Sequence, residues 1–288
     1  MSIDTVQQLV GQYLPVLLIT FFTWLTYAYT LQSGFVIDDL AAMASYDGKL
    51  QGFEYGMLFR WIRYHICGGD FPSGRKFHDG NPIPQGKVPT RHHFLSVLIF
   101  NVACIALYYF LKPILGDRLA LLSVLLYVVH PICTQGVAWI SGLGYPLSIF
   151  WMSLSGILIQ RLYNAPDLVG AVFTTIAFCI LHFLAVHAQF CALMFWVILL
   201  FLGYWPFAII SIVISLGMGF QIVRGTINLR KDEFKKQQMG GSTFLKPRKL
   251  VVALKTLSYY VFHSIIPRRI GLYHEWGFHY DKGVERED

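Results

Sequence analysis

Apolar residues along the chain gather into eight runs, near residues 12–31, 94–111, 119–137, 146–160, 168–187, 190–203, 205–223 and 250–266. A helix rises about 1.5 Å per residue, so most of these runs are long enough to cross roughly 30 Å of hydrocarbon. The pattern predicts an all-α, polytopic membrane helix bundle with about eight transmembrane helices, forming a single domain over 1–288. The run at 190–203 is short and close to both neighbours, which leaves room for a helical hairpin or re-entrant pair in place of two crossings. Met1–Tyr13 carries no Lys or Arg and no small-residue cleavage site clearly follows the first run, so helix one is expected to be retained, not removed as a signal peptide.

Two polar stretches interrupt this pattern. The first, 33–92, is Gly- and Pro-rich between Gly68 and Pro89 and is long enough to be functional. Within it Phe53, Met57, Trp61 and Ile62 recur at helical spacing while Glu54, Arg60 and Arg63 fall elsewhere around the wheel. That arrangement suits an amphipathic helix lying in the headgroup layer, with a solvent-exposed helix as the plainer alternative. The second stretch, 224–249, is basic, with Arg224, Arg230, Lys231, Lys235, Lys236, Lys246, Arg248 and Lys249.

Composition agrees with a bilayer as solvent. The 288 residues are 55% hydrophobic and only 14% charged, with mean hydropathy +0.52, outside the range of ordinary soluble domains. The net charge of +7 is carried by loops beside apolar runs, which favours lipid headgroups or a phosphate-bearing lipid as partners and disfavours nucleic acid. Lys112, Arg118 and Arg161 occupy alternate short connections, and the opposite ones near Ser141 and His187 carry no Lys or Arg. The positive-inside rule then expects a multi-pass protein with a cytoplasmic N-terminus and an extracytoplasmic 33–92. Seven crossings would put the basic 224–249 outside as well, so either the count is off by one or this is an external basic loop. Of five cysteines, Cys104, Cys179 and Cys191 lie in apolar runs, and Cys67 and Cys133 could pair if both face an oxidising compartment.

The chemistry-bearing residues cluster beside the runs. Phe35-Val36-Ile37-Asp38-Asp39 puts two adjacent carboxylates at the membrane edge, where one could accept a proton from an attacking hydroxyl or, more plainly, cap the helix begun by Leu40-Ala41-Ala42-Met43. Arg91-His92-His93 precedes the second run. Arg can fork onto phosphate oxygens, whereas two adjacent helical histidines diverge and make a poor metal site, so no metal is expected there. His130-Pro131-Ile132-Cys133-Thr134-Gln135 through Gly142 is rich in polar and small residues for a membrane edge; His130 either serves a phosphate or is a satisfied interfacial histidine. Trp139 and Tyr145 fit an aromatic belt. No Walker loop, GxSxG elbow or HExxH occurs, which disfavours a nucleotide-driven pump, a serine hydrolase and a zincin. A transporter or channel is disfavoured by how few ionisable residues, chiefly His182 and Lys255, fall inside the runs.

These motifs together resemble the membrane half of the GT-C glycosyltransferase superfamily, in particular the transmembrane and tetratricopeptide-repeat O-mannosyltransferases. Phe35–Asp39 is similar to that family's Asp motif after helix one, and Arg91 through Val97 to its Arg-Pro-Leu segment. His130-Pro131-Ile132 with Gln135, Val137, Ala138 and Gly142 is similar to its His-Pro-Ile-x-x-Glu-x-Val-Ala stretch. Tyr259-Tyr260 through Pro267 resembles the late Pro-ended helix, and Glu275-Trp276 its acidic-aromatic site. The sequence departs where the family's Glu is Gln135, where its Gly-Arg-x-Asp is Gly142-Leu143-Gly144-Tyr145, and where its Ser-Lys-Glu is Ala188-Gln189-Phe190. The resemblance implies a GT-C-like fold and transfer of a sugar from a polyprenyl-phosphate donor to a hydroxyl acceptor at the extracytoplasmic face. Asp38 or Asp39 would be the base, with Arg91, His92, His130 and Gln135 at the lipid phosphate and Glu275 and Trp276 near the site. No cofactor is implied, the lipid-linked sugar being a substrate. The lost charges equally suit a scaffold that has shed catalysis and serves, through protein partners, as a subunit of a larger membrane complex.

Overall fold

A computed structural model describes residues 3–34, 61, 63, 65–67, 88–164 and 168–236. Every regular element among them is helical: α1 (Ile3–Tyr27) with a 3-10 turn (Ala28–Gln32), α2 (Val88–Leu115), α3 (Asp117–Val129), α4 (Cys133–Ala138), a 3-10 turn (Ile140–Leu143), α5 (Gly144–Asn164), α6 (Leu168–Ala188), a 3-10 turn (Phe190–Met194), α7 (Phe195–Phe201) and α8 (Trp205–Lys236). The late run at 250–266 lies outside the described residues.

Four helices are long and apolar enough to cross a membrane, over Tyr13–Gln32, Thr90–Leu115, Ile140–Leu162 and Leu168–Ala188, among the described residues. Their outward faces carry Leu17, Phe21, Leu25, Phe173 and Ile176, all more than half exposed, as lipid-facing positions are. This is a membrane protein built of helices. α2 is its centre, touching α1, α3 and α5, and α5 in turn packs on α6. One core joins Ile19 and Tyr27 of α1 to Phe100 and Cys104 of α2 and Val124 and Val128 of α3.

The 119–137 run, expected as one crossing, is instead broken. The ring of Pro131 disfavours helical backbone at the preceding residue, and His130 is extended (φ −72, ψ 128), which ends α3. Thirteen residues rise only about 20 Å, and the rest of the run forms the separate six-residue α4. At the other end of α3, Gly116 adopts φ 77, a conformation only glycine takes without penalty, and its N–H donates the closing bond of α2 to the Lys112 carbonyl (2.9 Å).

The 190–203 and 205–223 runs form the hairpin of α7 and α8. α7 has seven residues and stops in a Schellman turn, with the Gly203 N–H bonded to the Leu200 carbonyl (3.0 Å), the Tyr204 N–H to the Leu199 carbonyl (2.8 Å), and Gly203 at φ 77. Phe207 of α8 meets Phe178 of α6 (5.2 Å between rings), Ser211 lies 3.0 Å from His182, and Met218 packs on the cluster of Ala185, Val186 and Ala192. α8 therefore ascends parallel to α6, and the hairpin enters and leaves at the end where α6 finishes.

Candidate functional site

Six contacts define that end of the bundle. The Tyr27 hydroxyl donates to the Val128 carbonyl (3.1 Å), tying the end of α1 to the end of α3 just before His130. The His93 ring nitrogen Nε2 lies 3.4 Å from the Gly34 carbonyl, bringing the exit of helix one onto the start of α2. Arg63 donates to the Ile140 carbonyl, to the His92 carbonyl (3.2 Å) and to Ser96 Oγ (2.6 Å), joining three stretches of chain far apart in sequence. Finally, Gly144 leaves space that the Ala188 carbonyl fills, so the starts of α5 and the end of α6 are in contact there. The exit of helix one, the His130 loop, Arg91–His93 and the end of α6 thus share one face of the bundle.

Arg63 was placed by the helical pattern on the polar side of an interfacial helix. It is instead 2% exposed, on the protein-facing side with Cys67 four residues on, and it is Trp61 (38% exposed) and Ile66 (63%) that point away from the bundle. A guanidinium out of water loses several kcal/mol of hydration, and here two carbonyls and a hydroxyl recover it. Nothing in the local spacing distinguishes this Arg from Arg60. The only cue was Cys67, a small apolar residue at i+4, on the same helical face as Arg63.

The expected site residues fall as follows. Arg91 is exposed and donates from Nη1 to the Cys67 carbonyl (3.4 Å). His92 is fully buried beside it, with its carbonyl given to Arg63. His130 is half-buried; the Ile132 N–H donates to its Nδ1 (3.2 Å), which leaves the ring proton on Nε2, a buried position with no hydrogen-bond partner among the described residues. Gln135 is exposed on α4, and its carbonyl abuts Gly142, where any side chain would collide with it. Asp38, Asp39, Glu275 and Trp276 lie outside the described residues. Described chain stops at Gly34, four positions before Asp38.

A cleft of about 380 Å³ opens at this face between the 3-10 turn after α1, Ile66 and Cys67, and the first turns of α2. Burial raises the Cys67 thiol pKa, and the nearby Arg63 and then Arg91 guanidinium groups oppose that rise. Two cations thus lie within electrostatic reach of one cleft wall. Cys67 and Cys133 are both free thiols and buried. Among the described residues no group of three His, Cys, Asp or Glu side chains is placed to hold a metal ion. No protein-family model, curated protein or solved structure matches the chain.

Proposed function

We propose that the chain is a GT-C-like membrane protein that uses a polyprenyl-phosphate-linked sugar at this face, passing the sugar to a hydroxyl acceptor. The observation that carries the reading is that the exit of helix one and the His130 loop emerge at the same end of the bundle, joined by the Tyr27–Val128 hydrogen bond. On this reading Asp38 or Asp39, a few residues beyond Gly34, takes the acceptor proton, because a general base must lie within about 3 Å of the proton it removes. Arg91 and the Nε2–H of His130 are hydrogen-bond donors suited to the lipid phosphate, whose charge grows as it departs. The same face is extracytoplasmic, and the ends of α2 and α5 bearing Lys112 and Arg161 are cytoplasmic.

Replacing both Asp38 and Asp39 by Asn should abolish sugar transfer from a polyprenyl-phosphate sugar donor in the detergent-solubilised chain. Turnover unchanged from the native rate would remove the proposed base. Cysteines placed at Ser33 and at Arg161 should label from opposite sides of sealed vesicles, Ser33 from outside; the reverse order would invert the topology.

A second reading has its own observation. Leu143, where the GT-C pattern has Arg, is buried against Leu147 and Ala188, and Gly144 and Ala188 meet with no charge between them. An apolar corner in place of a cationic one suits a scaffold subunit that no longer stabilises a leaving phosphate. Purification in mild detergent separates the two: recovery of the chain alone and active supports the enzyme, and stable co-purification with other membrane proteins without donor turnover supports the scaffold.

A further inference from the structure

The cleft at the head of α2 has a direction. Thr90, Arg91, Phe94, Leu95 and Leu98 recur along one stripe of that helix and all line it. From Thr90 to Leu98 is about 12 Å of rise, starting at the membrane-end turn that holds the guanidinium and descending into wholly apolar wall. Leu31 closes the cleft from the turn after α1, and Ile66 and Cys67 close it from the third side. Phe94, in that wall, also meets Trp24 of α1 (5.4 Å between rings). Phe94 and Ile66 are about half exposed or more, so the cleft is open on the side where lipid lies.

Each feature constrains the occupant. A wall that is apolar apart from one end, and that opens sideways at membrane depth, fits a hydrocarbon chain and offers a peptide backbone almost no partners for its N–H and C=O groups. A guanidinium at the membrane-ward lip, with a second one behind Cys67, complements a headgroup of concentrated negative charge. A hydroxyl at Thr90 adds a neutral donor at the same end.

We propose that this cleft is the entry site for a long-chain lipid monophosphate: the phosphate sits at Thr90 and Arg91, and the first part of the chain lies down the stripe past Phe94 and Leu98. This rests on the reading above in taking a polyprenyl phosphate as the specific ligand, and it adds where that ligand is gripped and by which end it enters. Leu98 gates the apolar part and Arg91 the charged part.

The test uses the full chain in detergent, with undecaprenyl phosphate, inorganic phosphate and dioleoyl-phosphatidylglycerol as probes, and dissociation constants read by native mass spectrometry. Leu98→Trp fills the apolar stripe and should weaken undecaprenyl phosphate about tenfold or more, the order of lost burial of a few methylenes. Arg91→Gln should weaken it comparably, and Leu216→Trp, on the exposed face of α8, should leave it unchanged. In the chain with Cys191→Ser and Ile66→Cys, which puts a thiol on the exposed lip of the cleft, saturating undecaprenyl phosphate should slow alkylation at position 66, a readout independent of whether the Leu98 and Arg91 variants fold. Native-like affinity in Leu98→Trp, or no protection of the thiol at position 66, overturns the site; phosphatidylglycerol binding as tightly as undecaprenyl phosphate overturns the monophosphate and makes this a bilayer-lipid groove. Binding with these properties but no sugar transfer would sink the proposed function and leave the cleft standing, whereas transfer that persists with no cleft effect would do the opposite.

Discussion

The Tyr27 hydroxyl donates to the Val128 carbonyl at 3.1 Å across 101 residues of sequence, and this bond holds the outlet of helix one beside the His130 loop. Val128 is near the end of α3, where carbonyls no longer find partners within the helix, so the phenol satisfies an acceptor that lipid could not. The ring itself packs edge-on against Phe100 at 5.4 Å, a contact that phenylalanine would keep. Tyr27→Phe should therefore cost about 1 kcal/mol, the net worth of one buried hydrogen bond. A thermal-unfolding series in detergent checks it, and an unchanged midpoint would mean the bond contributes nothing. Tyr27→Ala, which also opens a cavity, should cost about 3–5 kcal/mol.

Two glycines should respond oppositely to one added methyl group. A Cβ on Gly144 would run into the Ala188 carbonyl oxygen, which is backbone and cannot swing aside, so Gly144→Ala must part α5 from α6. Overpacking of this kind costs about 1–3 kcal/mol. Gly217 in α8 has nothing within 4 Å of the same position, and Gly217→Ala should be neutral or gain about 0.5–1 kcal/mol from reduced backbone freedom. Parallel melting curves decide it. Equal effects at the two positions would mean that the α5–α6 contact is not close.

What could be read from the chain alone was whatever depends on composition over a long window. The runs at 12–31, 94–111, 146–160 and 168–187 correspond to α1, α2, α5 and α6, since hydrophobic length is a property of the segment itself. Depth and pairing are not such properties. The split of 119–137 at His130–Pro131 was latent in the Pro but invisible to hydropathy, and the hairpin at 190–220 was legible only as an alternative. Its decision required Phe207, Ser211 and Met218 to meet Phe178, His182 and the Ala185 cluster, contacts no window averages. The burial of Arg63 depended on a carbonyl 77 residues away, at Ile140. Arg91 and His130, by contrast, were singled out from residue type and position beside a membrane edge, and both lie at the face described above.

The hairpin of α7 and α8 makes its own prediction. His182 is fully buried, stacked on Phe178, and its Nε2 faces the hydroxyls of Ser211 at 3.0 Å and Ser215 at 3.4 Å. A hydroxyl hydrogen-bonded to this nitrogen in an apolar surround is a firm tie between α6 and α8, and the shorter contact should matter more. Ser211→Ala should lower stability by about 1 kcal/mol, with Ser215→Ala costing less. A cysteine placed at Gly203, at the hairpin turn, should become more reactive toward a membrane-permeant thiol reagent in Ser211→Ala. Identical reactivity in the native and variant backgrounds would mean the hairpin is held by its apolar contacts alone.

At the opposite end of α2, acid should remove a small stabilisation that neutral pH preserves. Asp117 opens α3, accepts from Lys112 Nζ (2.8 Å) and from the Tyr108 hydroxyl (2.6 Å), and these bonds, Lys112 first, hold its carboxyl below the ordinary carboxylate range. A carboxyl depressed in the folded chain stabilises it only while ionised. The contribution is therefore complete above the unfolded value near about 4 and disappears as pH falls through the lower folded one. Because Asp117 and Lys112 are 61% and 45% exposed, solvent screening limits the ion pair to a few tenths of a kcal/mol, with a similar increment from a negative charge at a helix N-terminus. Asp117→Asn should thus be slightly less stable than the native chain by a constant margin from about pH 8 to pH 5, converging with it as pH falls through the depressed folded value. A margin that persists unchanged into acid could not come from the carboxylate's charge, nor from the Tyr108 hydrogen bond, which an amide oxygen still accepts, and would remove the charge from the account.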